Sequence, residues 1–316
     1  MNSETFPAQP NIGARRIGLV GASGFIGRAV SGRLEAAGHR VERIGRDALD
    51  RTLDGDPAPL IAALAGCDAV INCAGRAHVL AHEGAALAEE RFMAVNRDLA
   101  QAIGWAARSA AVPRMIHVSS VAAIASHSAP GQPIDDDTPP APGTPYGRSK
   151  LAGDEQVLAL ATADFLPAVL RPPAVFGPDA RGWFPLFLAA ARRGAPLPLG
   201  RIENRRSFAY VGNVADAIVH SIDGHWTGAH IVTDSEPMSS AAFYRLLLAA
   251  AGHSNRIWPL PAAVASWGAR VLLGTRSSSL LDDAAYDGAG FHAASGWKPV
   301  YSQADAARLT LAGVDA

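Results

Sequence analysis

Tyr146 and Lys150, four residues apart in T-P-Y-G-R-S-K (Thr144–Lys150), are the residues of this chain best suited to proton transfer. On a helix, residues i and i+4 lie on one face, about one turn apart. A lysine ammonium there would favour the ionised phenol and lower the tyrosine pKa, which suits acid–base chemistry near neutral pH. An isolated pair of this kind is more often an exposed tyrosine and a solvated lysine, so the neighbouring elements must decide.

A serine hydroxyl precedes this pair across a long loop. V-S-S-V (Val118–Val121) follows a predicted strand, and the Pro-, Ala-, Ser- and Asp-rich segment Val121–Pro145 leads on to Tyr146. Long loops inside compact domains are more often functional than idle. A hydroxyl at the carboxyl end of a strand in a doubly wound sheet faces the ligand crevice, so Ser120 is a candidate for the same site.

A glycine motif near the start predicts a dinucleotide site. G-A-S-G-F-I-G places Gly21, Gly24 and Gly27 between the first predicted strand and the first predicted helix. Gly21 permits a tight turn, Gly24 lets the backbone approach a pyrophosphate, and Gly27 lets the helix pack closely on the sheet. The helix N-terminus would receive the anion. The predicted cofactor contacts of this motif are Gly21, Ser23, Gly24, Phe25, Ile26 and Gly27.

The end of the second predicted strand, V-E-R-I-G-R-D, bears on the choice of dinucleotide. An NAD site places an acidic residue there for the ribose hydroxyls, but this chain has Gly45 followed by Arg46. An arginine can bind a 2′-phosphate that a carboxylate would repel. The segment therefore favours NADP, with Arg46 and then Arg43 as contacts, while Asp47 keeps NAD open as the alternative.

Strands and helices alternate along the first half of the chain, as in right-handed βαβ units. Strands are predicted at Arg15–Val20, Arg40–Ile44, Ala69–Asn72, Arg114–Ser119, Pro167–Arg171 and His230–Thr233, and helices at Gly24–Ala37, Leu60–Ala65, Ala85–Ala111, Pro145–Ala161, Phe184–Ala191, Ser239–Ala251 and Ala262–Leu273. This pattern predicts an α/β fold with a Rossmann-type, doubly wound parallel sheet.

The predicted organisation has two parts after a flexible start at 1–14. Residues 15–177 form the NAD(P)-binding domain, to which a strand and helix near 208–235 return. Residues 178–207 and 236–316, where Gly and Pro break the rhythm, form a smaller, mostly helical C-terminal lobe for substrate.

Composition excludes several other classes of protein. The chain has 316 residues, a formal net charge of -1 and no long basic run, so nucleic acid is not an expected partner. Two cysteines suit a reducing compartment. No apolar stretch reaches the roughly 20 residues of a membrane span. The acidic run Asp135–Asp137 is typical of a solvated turn rather than a metal site. We expect a cytoplasmic protein with a small-molecule substrate and no metal.

Taken together, these motifs resemble the extended short-chain dehydrogenase/reductase family, in its nucleotide-sugar epimerase and reductase branch. The resemblance rests on the glycine motif, N-C-A-G (Asn72–Gly75), S-S before a long loop, Y-x-x-x-K, R-P-P-A-V-F-G-P (Arg171–Pro178), N-R-R-S-F-A-Y-V-G-N-V-A-D-A-I (Asn204–Ile218) and G-W-K-P (Gly296–Pro299). It runs from about Arg15 to beyond Pro299.

The resemblance implies a role for each matching residue. Tyr146 is the general acid/base, Lys150 lowers its pKa and binds the nicotinamide ribose, and Ser120 orients the substrate oxygen. Arg206 would contact a nucleotide diphosphate. Further implied cofactor contacts are Cys73, Ala74, Gly75, Asn96 and Pro173. This chain departs from the family at Trp183, near where an asparagine is often expected, and Trp183 is our candidate substrate contact. A homodimer through the helices at Ala85–Ala111 and Tyr146–Ala161 is also implied.

The implied activity is NAD(P)-dependent hydride transfer at C4 of a UDP-linked hexose, by a 4-epimerase or a 4-keto reductase. One alternative is an NADPH-dependent reductase of a small non-nucleotide ketone or aldehyde, with Trp183 and Phe184 lining an apolar pocket. Another is a non-catalytic NAD(P)-binding regulatory protein, which Ser120, Tyr146 and Lys150 together disfavour.

Overall fold

The computed structural model describes residues 13–77, 84–180, 182, 184–199, 202–254, 257–258, 260 and 281–313. The predicted helix at 262–273 and Trp183 lie outside these residues, as does nearly all of the predicted flexible start. In the part of the chain so described, no helix is long and apolar enough to cross a membrane.

Six parallel strands form the main sheet, in the order β2-β1-β3-β4-β5-β8. The strands of the protein are β1 (Arg16–Val20), β2 (Arg40–Ile44), β3 (Ala69–Asn72), β4 (Arg114–Val118), β5 (Leu166–Arg171), β6 (Ala174–Phe176), β7 (Phe208–Tyr210) and β8 (Gly228–Ile231). The chain moves outward from β1 to β2 and then returns to β3 on the other side. This reversal opens a crevice at the carboxyl ends of β1 and β3, where doubly wound folds bind ligands.

Helices cover both faces of this sheet. They are α1 (Phe25–Ala36), α2 (Arg46–Leu53), α3 (Ala58–Leu64), α4 (Ala85–Met93), α5 (Leu99–Ser109), α6 (Pro145–Leu158), α7 (Phe184–Arg192), α8 (Val211–His220), α9 (Ser240–Ala250), α10 (Ala289–Ser295) and α11 (Gln303–Ala312). One core cluster joins the sheet to α1 and α8, and a second joins its other face to α3, α5 and α6. The predicted doubly wound α/β fold is therefore confirmed.

Two differences from the predicted elements bear on the site, in addition to β6, α10 and α11, which were not predicted. Helix α2 begins directly after β2, so Arg46 is the first residue of a helix that was not predicted. The helix expected at Ala85–Ala111 is interrupted by a π-helical turn at Ala94–Asp98. Single π turns of this kind occur mostly within α-helices and often at functional sites.

The chain leaves the main sheet after β5. Pro172 and Pro173 follow this strand, and β6 then pairs in parallel with β7 in a separate two-stranded sheet. The large core cluster contains residues from both the predicted cofactor domain and the predicted substrate lobe, so it does not separate the two. Their division stays a prediction.

The long loop before α6 is fixed to the edge of the main sheet by Asp136. Its carboxylate accepts from Ile231 N at 2.7 Å and lies 2.9 Å from Nδ1 of His230. Asp135 and Asp137 are exposed, as expected, but Asp136 is half-buried. The interpretation of the whole acidic run as a solvated turn is therefore wrong for its middle residue, because His230 is distant in sequence and only the fold brings it near.

Candidate active site

Helix α6 begins where it does because of two residues before its functional tyrosine. Thr144 has extended backbone and its hydroxyl accepts from Gly147 N at 3.0 Å, while Pro145 occupies the first helical position. Threonine caps and first-turn prolines both favour a helix start. The helix therefore carries Tyr146 in its first turn and Lys150 one turn later, on the side that faces the end of β4.

Ser120 and Tyr146 meet in the structure. Ser120 follows β4 and its hydroxyl accepts from Ala122 N at 3.2 Å. The same hydroxyl is hydrogen-bonded to the phenol of Tyr146. The ring of Tyr146 packs edge-to-face against Phe92, with ring centroids 6.0 Å apart. The fold therefore brings together two of the three predicted catalytic groups, although 26 residues separate them in the sequence.

The predicted effect of Lys150 on the tyrosine is wrong for this structure. Burial raises the pKa of Tyr146, the hydrogen bond from Ser120 lowers it, and the charge of Asp154 raises it. Net, the pKa lies above its ordinary value. The reason is that the interior disfavours the phenolate more than the surrounding groups favour it.

Lys150 lies one turn after Tyr146 on α6 and is 2% exposed. Its ammonium donates to Val118 O at 2.8 Å, which fixes the side chain against the end of β4. Burial lowers the pKa of Lys150 to about 8, while the charge of Asp154 raises it. An amine with this pKa is charged at neutral pH yet close to titrating, as expected for lysines in functional sites.

Asn96 occupies the π-helical turn and is completely buried. Its side chain accepts from Arg76 N at 2.9 Å and donates to Arg76 O at 3.0 Å and to the Ser149 hydroxyl at 2.9 Å. A Cβ on Gly153 would lie 2.0 Å from Asn96 O, so α6 presses directly against this turn. Asn96 thus joins α6 to the segment after β3, and its predicted contact with the cofactor stays a prediction.

The glycine motif has the geometry of a dinucleotide cradle. Gly21 has φ +78, and a Cβ there would lie 2.6 Å from Ala74 N. A Cβ on Gly27 would lie 2.0 Å from Gly21 O, whereas one on Gly24 would lie 3.2 Å from it. The exposed Ser23 and Gly24 lead into the first turn of α1 at the sheet edge. These residues fit a pyrophosphate beside a helix N-terminus.

The segment after β3 completes this cradle. Asn72 Oδ1 accepts from Ala74 N at 3.0 Å, which holds the turn of Cys73, Ala74 and Gly75. A Cβ on Gly75 would lie 3.8 Å from the Lys150 ammonium. The small residues predicted to line the cofactor therefore lie between the glycine motif and Lys150. A bound dinucleotide must reach from one of these features to the other. Pro173 is buried just after β5, and its predicted contact stays untested.

Arg46 and Arg43 differ in how free they are to bind an anion. Arg43 donates to the Ser31 hydroxyl at 2.9 Å and forms an ion pair with Glu35. Arg46 is exposed at the first position of α2. The structure thus supports Arg46, the first of the two predicted contacts, as the better placed residue for a 2′-phosphate.

Arg206 and Phe184, two residues predicted to face the substrate, are both buried. Arg206 is 7% exposed, and its guanidinium donates to Asp282 O at 2.6 Å. Phe184, expected to line an apolar pocket, instead lies in the aromatic core at 5.8 Å from Phe176. That expectation is wrong, because the first turn of α7 directs the ring into the core. Trp183 lies outside the described residues.

An apolar cavity adjoins the phenol of Tyr146. Its volume is about 580 Å³ and no charged side chain is among its described lining residues. The lining is Ala77, Ala85, Ala88, Phe92, Ala122, Ser126, Thr144, Pro145 and Tyr146.

The family model described as "NAD dependent epimerase/dehydratase family" matches residues 17–232. The chain belongs to this family. Membership confirms the predicted extended short-chain dehydrogenase/reductase type, a class of NAD(P)-dependent epimerases and reductases. It also confirms a nicotinamide cofactor, since the matching family is described as NAD dependent.

Curated relatives of this epimerase/dehydratase family member have different activities. A UDP-glucose 4-epimerase of Vibrio cholerae is 31% identical over 200 residues, covering 62% of this chain and 60% of that protein. The match therefore spans less than two thirds of that relative. A 3-diazoavenalumate denitrifying reductase of Streptomyces sp is 31% identical over 310 residues, covering 90% of this chain and 96% of the relative.

Solved structures share the fold. The UDP-N-acetylglucosamine 4-epimerase of Bacillus cereus superposes with a TM-score of 0.75 at 18% identity, covering 95% of this chain and 99% of that one. A human epimerase family protein with NADPH superposes with a TM-score of 0.76 at 22% identity, covering 94% and 99%.

A charged network beside the site was not predicted. Asp154 accepts from Arg171 Nε at 2.9 Å, and both are buried. Asp154 follows Lys150 by four residues, as Lys150 follows Tyr146, so all three lie on one face of α6. This spacing was a sequence signal for Asp154. The sequence contained none for Arg171, whose place beside Asp154 depends on the sheet.

Proposed function

We propose that this protein is an NADP(H)-dependent enzyme that interconverts a carbonyl and an alcohol on its substrate. The observation that carries the proposal is the hydrogen bond between Ser120 and Tyr146, on the helix whose next turn carries the buried ammonium of Lys150. A positioned phenol and hydroxyl suit proton exchange with a substrate oxygen. The nicotinamide, when bound, would supply or accept the hydride.

Each residue of the site has one task in this proposal. Tyr146 exchanges the proton with the substrate oxygen, and Ser120 holds that oxygen at hydrogen-bond distance from the phenol. Lys150 is held by Val118 O at the end of β4, where its ammonium would bind the ribose of the nicotinamide. The cradle of Gly21, Gly27 and the turn after β3 would hold the dinucleotide.

For the substrate, we propose a nucleotide-linked hexose that reacts at C4. The support comes from relatives: a UDP-glucose 4-epimerase at 31% identity and a probable dTDP-4,6-dihydroxy-2-methyloxan-3-one 4-ketoreductase of Streptomyces antibioticus at 28%. Exposed Arg46 favours NADP and thus net reduction, which suits a reductase better than an epimerase that retains its cofactor. We infer a cytoplasmic homodimer on the family resemblance alone.

The cavity beside Tyr146 favours a second candidate, an apolar ketone or aldehyde. A hexose presents several hydroxyls that need polar partners. Among the described lining residues, only Ser126, Thr144 and Tyr146 offer side-chain hydrogen-bonding groups. A ceramide reductase of Caulobacter vibrioides, 31% identical over 215 residues, shows that relatives include a protein named for an apolar substrate.

The test is NADPH absorbance with purified protein and two substrate series. One contains UDP- and dTDP-linked 4-keto-6-deoxy sugars, and the other contains aryl and long-chain alkyl ketones. We expect stoichiometric NADPH loss with one series, and its disappearance in Tyr146→Phe with NADPH binding retained. Conversion of UDP-glucose to UDP-galactose without net NADPH loss would instead show an epimerase. Equal turnover by Tyr146→Phe would overturn the assignment of the proton donor.

A further inference from the structure

A buried row of polar groups connects the two walls of the cofactor crevice. On one wall, the turn after β3 is held by Asn72, which is 1% exposed. On the other, α6 carries Asp154, also 1% exposed. His117, next to the last residue of β4 and completely buried, lies between them. Its Nδ1 is 3.1 Å from Asn72 Nδ2, and its Nε2 is 3.8 Å from Asp154 Oδ1.

The hydrogen bonds determine the tautomer of this histidine. Because Asn72 Oδ1 accepts from Ala74 N at 3.0 Å, the amide nitrogen is the atom that faces His117. An amide NH₂ can only donate, so Nδ1 of His117 must accept. A neutral imidazole then carries its proton on Nε2, which points toward the carboxylate of Asp154.

The charges around the row favour a neutral ring. Burial lowers the pKa of His117 well below its ordinary value, and the charge of Lys150 lowers it further. Asp154 is the single described carboxylate among these groups, and it faces two cations, Arg171 and Lys150. Protonation of His117 would add a third buried positive charge against that one carboxylate, which is strongly unfavourable.

The same row bears on Lys150. The titratable groups that face its ammonium are Asp154 from its own helix, Cys73 from the turn after β3 and His117 from β4. Arg171 from β5 engages the carboxylate of Asp154 at 2.9 Å. Any change that moves or neutralises Asp154 therefore removes the main charge that supports protonated Lys150.

We propose that His117 is a positioning residue that couples the cofactor turn Cys73–Gly75 to the helix carrying Lys150, through Asn72 on one side and Asp154 on the other. The imidazole fixes the Asn72 amide, which fixes Ala74 N. Its Nε2 and Asp154 Oδ1 are 3.8 Å apart, too far for a hydrogen bond, and neither atom has another hydrogen-bond partner among the described residues, so the Nε2–H dipole acts on the carboxylate across this gap. The proposal rests on the proposed function only in assigning Lys150 a role, since its tests measure cofactor binding and proton binding without a substrate.

The first test is the protonation of His117 and Lys150 by NMR. In protein labelled with ¹⁵N-histidine, His117 should show a neutral ring with the proton on Nε2 from pH 6 to pH 9. The chain contains two lysines, Lys150 and the exposed Lys298, so a lysine-labelled sample gives a simple spectrum with an internal reference. A His117 that carries its proton on Nδ1, or titrates near its ordinary pKa, would overturn the proposal.

The second test compares variants by NADPH affinity and by the Lys150 titration. His117→Phe keeps the ring volume but loses both nitrogens, and should weaken NADPH binding about tenfold, as expected for loss of a buried hydrogen bond at the site. It should also move the Lys150 titration to lower pH while Lys298 stays unchanged. His117→Gln, which can accept from Asn72 and donate toward Asp154, should stay close to the wild type.

The matched control is Tyr244→Phe, which removes one partly buried hydrogen bond, to Ala195 O at 2.6 Å, in the distant aromatic core. It should lower Tm without changing NADPH affinity or the Lys150 titration. If His117→Phe behaves in the same way, His117 is merely structural and the proposal is wrong. If His117→Phe does not fold, two other measurements test the proposal. A wild-type His117 with its proton on Nδ1, or a tenfold loss of NADPH affinity in His117→Gln, overturns the coupling.

Discussion

Replacement of Gly27 by alanine tests whether the glycine motif is required by packing or by the cofactor. A Cβ on Gly27 would lie 2.0 Å from Gly21 O, 2.8 Å from Gly21 C and 3.0 Å from Ala22 Cα. All three neighbours are backbone, so no side chain can rotate away. A Cβ on Gly24, by contrast, would lie 3.2 Å from Gly21 O and meets nothing else within 4 Å.

The magnitude follows from these distances. To bring the Gly27 contact from 2.0 Å to about 3.0 Å, α1 must move about 1 Å from the turn that carries Gly21. Such overpacking costs about 1–3 kcal/mol, which corresponds to a loss of roughly 2–5 °C in Tm for a chain of this size. The same shift displaces the helix N-terminus, so NADPH binding should weaken by about 10-fold or more.

The assay pairs thermal melts with NADPH titrations for Gly27→Ala and Gly24→Ala. We expect Gly27→Ala to lose both stability and affinity, and Gly24→Ala to keep Tm within about 2 °C while it loses affinity, because its methyl group would occupy the path of the pyrophosphate. Wild-type Tm in Gly27→Ala would refute the packing argument. Equal loss of Tm in the two variants would refute the distinction between the two glycines.

Three further predictions concern the cofactor, pH and the catalytic helix. Arg46→Ala should reduce the preference for NADPH over NADH in kcat/KM by about 10–100-fold, and Arg43→Ala should change it less because Glu35 already engages that arginine. Asp136 raises the pKa of His230, so the pair stabilises the fold fully below about pH 6.5 and loses that contribution as pH rises through the folded pKa. His230→Gln should therefore lose about 1 kcal/mol of unfolding free energy at pH 6 and little at pH 8.5 in denaturant titrations, and an equal loss at both would contradict this. Gly153→Ala, whose Cβ would lie 2.0 Å from a backbone oxygen of the π-helical turn, should lower kcat by about 10–100-fold with a smaller change in NADPH affinity.

Local spacing in the sequence determined much of the fold and the centre of the site. The strand–turn–helix context of Gly21, Gly24 and Gly27 was sufficient to predict the cradle, because a tight turn and close helix packing are properties of adjacent residues. Thr144 and Pro145 likewise determined where α6 starts, and so which face carries Tyr146 and Lys150.

Tertiary structure alone decided the properties that depend on burial and on partners distant in sequence. The raised pKa of Tyr146 arises from desolvation by the folded interior, which no spacing reveals. Asp136 meets a histidine 94 residues away, and the carboxylate of Asp154 meets Arg171 on a neighbouring strand. Such contacts depend on strand order and helix packing. A sequence motif can therefore identify the chemical groups, but the folded core determines their charge, their orientation and their exposure.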